Sequence, residues 1–119
     1  MAVKSFVKQM FNGEGDLYKV ENLVTGDESS VLKFMTGQVD ITVQVYGTVG
    51  GSTVTVQGTL VGVQYGVCDD AYGSAMSYTA ISGIPKPVGP AVVALKIVVT
   101  AGAGVDVDVD VYVVRKVRP

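Results

Sequence analysis

Between Val105 and Val117 the chain reads VDVDVDVYVVRKV, with valine at every odd position except 115 and aspartate at 106, 108 and 110. Alternation with a period of two describes a β-strand, whose successive side chains point to opposite faces. Val105, Val107, Val109, Val111 and Val113 then form the core side. Asp106, Asp108 and Asp110 line up on the other side at a spacing of roughly 7 Å. Carboxylates that close repel one another unless water, a cation or a basic partner screens them. Three readings of the row follow: a solvated outer face, a face met by a basic neighbour on a paired strand or another subunit, or a calcium site. Gly102, Gly104 and Asp106 echo half of a calcium-binding nonapeptide repeat, but that device works by stacking copies and the chain holds one.

The same alternation recurs. In QVDITVQVYG, Val39, Ile41, Val43 and Val45 alternate with polar residues, and in STVTVQGTL Val54 and Val56 do the same. Gly50-Gly51 between these two runs predicts a hairpin. In AVVALKIVVT, Val93, Leu95, Ile97 and Val99 share one face, and the loop Ala101–Gly104 predicts a second hairpin with the opening strand. The stretch between, GVCDDAYGSAMSYTAISGIPKPVGP, reads as a long surface connection with a short strand near Met76–Ile81, because Pro85, Pro87 and Pro90 bar a central strand. LYKVENLV and SVLKFM read as strands around the turn TGDESS. Twenty-six valines and 15 glycines pair strand formers with turn-makers. The expected fold is all-β, one antiparallel β-sandwich or jelly roll spanning residues 1–119.

Val3, Phe6, Val7, Met10 and Phe11 are too apolar for a solvated tail, and Lys4 and Lys8 keep them from forming a core strand. Their spacing fits a short helix or an extended arm. As an arm, residues 1–11 bury against a neighbouring subunit or a particle surface; the competing reading is an edge strand of the chain's own sheet. These five residues, with Asp106, Asp108 and Asp110, are the candidate interface.

Composition narrows the chemistry. Without histidine, Ser-His-Asp and Cys-His arrangements cannot be built, and zinc would find one cysteine and carboxylates. Cys68 beside Asp69 and Asp70 reads as an inert thiol, since adjacent carboxylates disfavour the thiolate. The acidic pairs Glu14 with Asp16, Asp27 with Glu28, and Asp69 with Asp70 fall in expected turns, where carboxylates serve solvation and local hydrogen bonds. No catalytic, cofactor or metal residues are assigned, and no cofactor is expected. A net charge of -2, with Arg115, Lys116 and Arg118 the only basic cluster, gives no nucleic-acid footprint. No run reaches the roughly 18 apolar residues of a membrane span, and no secretion signal is seen, so assembly in a cytoplasm is expected. Charged residues make up 17% of the chain against about 25% in ordinary domains. With 48% hydrophobic residues, that predicts a homo-oligomer, with a trimer favoured.

From Gly51 to Lys116 the chain resembles a group of small bacteriophage virion proteins. Their pattern is a strand of the type STVTLQGSLDGTNW, a variable middle, a strand ending in VT, a glycine turn and a last alternating strand ending in a basic residue. The matching stretches are STVTVQGTLVGVQYG, VVALKIVVTAGAG and VDVDVDVYVVRK. The chain departs at Leu60-Val61-Gly62, where the pattern has Leu-Asp-Gly, and at Tyr65, where it has tryptophan. The resemblance implies a non-catalytic virion subunit, first of all a decoration (cement) protein of the head, with the major capsid protein or other virion proteins as partners. The alternative is a β-sandwich binding module of a tail or adhesion apparatus, with Tyr65, Tyr72 and Tyr78 as its candidate aromatics.

Overall fold

Each alternating run becomes a strand with its β-branched side chains turned inward. The computed structural model describes residues 2–10, 15–34, 39–89 and 92–115. In chain order the strands are β1 (Val3–Lys4), β2 (Val7–Met10), β3 (Gly15–Leu23), β4 (Glu28–Ser29), β5 (Leu32–Lys33) and β6 (Val39–Thr48). They continue as β7 (Val54–Thr59), β8 (Gly66–Val67), β9 (Ser77–Tyr78), β10 (Lys86–Pro87), β11 (Ala94–Val99) and β12 (Asp106–Arg115). One sheet has the order β1-β4-β11-β7-β8, with β5 also on β11 and β9 on β7; the other has the order β10-β6-β12-β3-β2. All pairs are antiparallel except β1 with β4. The protein is an all-β sandwich.

The opening stretch is the central strand of its sheet, between β6 and β3, and Val107, Val109 and Val111 have no solvent exposure. They join Val54, Val56, Leu95 and Ile97 of the other sheet in one core. Each such side chain contributes about 1.5–3 kcal/mol on burial.

The two expected hairpins are not hairpins. β6 pairs with β12 and β10, whereas β7 pairs with β11, β8 and β9, so the Gly50-Gly51 turn carries the chain from one sheet to the other. The Ala101–Gly104 loop does the same between β11 and β12. Two arches stand side by side, and their strands pair arch to arch. The burial pattern shows the reason: Val49 and Val105, at the ends of these turns, are buried, and a turn that crosses between sheets tucks an apolar residue into the core. Ser52 closes the first arch, its hydroxyl donating to Val49 O at 2.7 Å.

The arches touch through backbone, Gly51 N–H donating to Ala103 O at 3.1 Å. A Cβ on Gly102 would lie 2.6 Å from Gly51 C, and Gly50, at φ 60°, faces Ala103 O too closely for any side chain. Glycine is required at both positions by this contact.

Three smaller expectations are corrected. A bend at Val93 breaks the alternation, so Val92 turns inward and Val93 outward, and the core face of β11 begins at Leu95. The second half of TGDESS is not only a turn: it forms β4 and buries Asp27. The long connection is not wholly superficial, because Met76 is fully buried; its N–H donates to Cys68 O at 2.8 Å and its carbonyl accepts from Val56 N–H at 2.9 Å.

Candidate assembly interface

The aspartate row divides into three different environments. Asp106 is exposed. Asp108 serves a β-bulge: between Val109 opposite Val20 and Val107 opposite Leu23, the two residues Glu21 and Asn22 face one residue of β12. Asn22 takes φ 58°, and its N–H donates to Asp108 Oδ1 at 2.9 Å. Asp110 accepts from the Tyr46 hydroxyl at 3.0 Å through Oδ2. Its Oδ1, cut off from solvent, has no hydrogen-bond donor and faces the Lys19 ammonium at 3.8 Å. Lys19 also lies 5.4 Å from the centroid of the Tyr46 ring. Burial pushes the Tyr46 phenol up, and Asp110 beside it adds to the rise. For Asp110, then, the basic neighbour is Lys19 of the adjacent strand. Among the described residues no three His, Cys, Asp or Glu side chains converge as metal ligands.

The N-terminal segment lies along the chain's own sheets. β1 runs parallel to β4, with Val3 opposite Glu28, and β2 runs antiparallel to β3, with Val7 opposite Lys19. Phe6 packs half-buried against the core, whereas Val3 and Val7 are 63% and 60% exposed. Phe11 lies outside the described residues, as does the side chain of Met10. Besides these strand pairings the segment is held by Asp27, which is buried and accepts from Ala2 N–H at 3.0 Å and Val24 N–H at 2.9 Å. Lys4 Nζ stands 3.3 Å from the same carboxylate. The Val24 N–H first, then Ala2 N–H and Lys4, hold this carboxyl below its ordinary value despite its burial.

A third surface was not singled out from the sequence. After β7 the chain enters a turn whose N–H groups at Val61 and Gly62 both donate to Thr59 Oγ1, at 3.2 and 3.0 Å. Where the virion-protein pattern places an aspartate, this turn is capped by the buried Thr59, and position 61 is left apolar. Leu60, Val61 and Val63 are 69%, 71% and 81% exposed. The far end of the loop is fixed as well, because the Lys96 ammonium lies 4.7 Å over the Tyr65 ring. Leu60, Val61 and Val67 border an open groove of about 930 Å³ with Cys68, Asp69 and Val92 on its walls. The available signal was LVGV itself, a run of apolar residues where a turn needs none.

The remaining candidates have local roles. Asp70 is buried and accepts from Tyr72 N–H at 2.9 Å and Ser74 N–H at 3.0 Å, closing its own turn. Asp16 pairs with Lys8 at 3.5 Å, and Glu28 with Lys96 at 3.9 Å. Cys68 is buried, and burial first, then Asp69, pushes its thiol up. Of the three tyrosines, Tyr65 and Tyr78 each lie beneath a lysine and Tyr72 stands exposed. In comparisons with known proteins, no family model and no curated protein matches the chain.

Proposed function

We propose that this protein is a non-catalytic structural subunit of a bacteriophage virion, a decoration protein of the head that docks on the major capsid protein through the Leu60–Val67 loop. The supporting observation is the loop. Three large apolar side chains are held in water by a turn pinned at both ends, on a frame of two sheets. Exposed apolar patches of this kind mark interaction sites, and a pinned loop gives up little conformational entropy on binding. The scarcity of charge fits a surface partly covered by neighbours. The working form is a homo-oligomer, a trimer, assembled in the host cytoplasm.

The test is sedimentation with heads lacking this protein. Val61→Asp with Val63→Asp is expected to keep the thermal transition of the parent, since both side chains are exposed, and to weaken head binding by about tenfold or more. Undiminished binding of a folded double variant contradicts docking through this loop. The tail or adhesion reading rests on Tyr72, the one exposed ring of the three. Binding to host cells that Tyr72→Ala abolishes would favour it over the head.

A further inference from the structure

We infer that residues 2–10 form an exchangeable strap: in the assembled protein each copy's strap occupies this place on a second copy. Two observations carry it, and neither depends on the virion reading.

The first is how little of the segment belongs to the core. It supplies the outermost strand of each sheet on one side, β1 in one order and β2 in the other. No described residue of it is among the buried side chains; Phe6 is half-buried, and Val3 and Val7 point largely into water. Among the described residues the fully buried core therefore takes no side chain from it, and Phe6 is its one partly buried contact with that core.

The second is the chemistry of the slot. Asp27 is a buried carboxylate, and of the donors that satisfy it only Val24 N–H belongs to its own turn. Ala2 N–H and the Lys4 ammonium come from the strap. Glu28 N–H donates to Ala2 O at 2.9 Å, Ser30 N–H donates to Lys4 O at 2.7 Å, and Ser30 Oγ accepts from Phe6 N–H at 3.0 Å. A slot that loses its strap keeps an underpartnered buried carboxylate and a bare strand edge, both costly to leave. It requires an extended segment carrying an N–H, a carbonyl and an ammonium at these spacings, and the same segment of a second copy meets that requirement atom for atom. Exchange of an identical element is a low-cost route to an oligomer, and passing each strap to the next copy closes a ring of two or three subunits alike.

Val3 and Glu28 are register partners across β1 and β4, Val3 exposed and Glu28 half-buried, and Val3→Cys with Glu28→Cys places two thiols there. The double variant is concentrated, oxidised and separated without reductant, and mass in solution is measured in parallel. Exchange predicts a species larger than the 12.4 kDa chain whose disulfides join different chains, giving covalent dimers or a covalent ring. A larger species with disulfides only within chains overturns the inference, and so does a protein that stays at one chain's mass at every concentration. Deletion of Ala2–Met10 gives a second reading without new cysteines. The truncated chain is expected to melt cooperatively as a monomer, and an oligomer that survives the deletion likewise overturns the inference. Head binding through the apolar loop is scored separately, so failure of exchange leaves the docking proposal standing or falling by itself.

Discussion

The five buried polar residues among those described, Asp27, Ser29, Ser52, Thr59 and Asp70, all satisfy backbone groups. Their chemical type was readable and their burial was not, because each partner is set by chain folding. Asp27 looks like any turn carboxylate until Ala2, 25 positions earlier, reaches it. Since its folded value lies below the ordinary 3.8, the unfolded chain takes the proton first as pH falls. The stabilisation from Asp27 is therefore complete above about pH 4 and is lost as pH drops through the lower folded value. Asp27→Asn is expected to lower stability at neutral pH by about 1.5–3 kcal/mol and to flatten that part of the acid profile, as read by thermal melts across the range. At the bulge, Asp108→Asn keeps an oxygen for Asn22 N–H and should melt like the parent, whereas Asp108→Ala should lose about 1 kcal/mol. Val109→Asp places an unpartnered charge at a position with no solvent exposure and should abolish the native circular dichroism and the cooperative transition.

At the scale of elements, period-two alternation located β6, β7, β11 and β12, and the buried faces of β7 and β12 match it. Partnership was not legible in the same way. A glycine turn between two alternating strands serves a hairpin or an arch equally well, and side-chain alternation within a strand is identical in both. The discriminating detail is the buried valine in each turn, Val49 and Val105. The short strands β1, β4, β8 and β10 exist because a neighbour's edge is present, so their two-residue sequences carry little signal of their own. The arch contact can be probed with a matched pair. Gly102→Ala drives a Cβ into the Gly51 backbone and should cost about 1–3 kcal/mol in chemical denaturation. Gly51→Ala, whose Cβ would meet Ala103 N at an ordinary 3.7 Å, should cost far less. Equal effects from the two would show that the arches are not stacked as described.

On the scale of the whole molecule, the sandwich was readable because 26 valines and 15 glycines with strict alternation leave few other ways to bury the apolar faces. The proposed interface was only partly readable. The N-terminal apolar residues stood out by composition, whereas the Leu60–Val67 loop looked like the tail of a strand until Thr59 was seen to cap it. The aspartate row, which invited a common explanation, falls into three separate environments: solvent at Asp106, the bulge at Asp108, and Tyr46 with Lys19 at Asp110. What unifies the surface is scarcity of charge together with apolar groups held outward at the strap and at the loop, and a subunit that works by being covered accounts for both. The most direct measurement is quantitative mass analysis of purified intact virions. A structural subunit of the head is expected to co-purify with them through density gradients at a fixed, high copy number per particle; absence from the particles, or a trace amount that varies between preparations, would contradict the account.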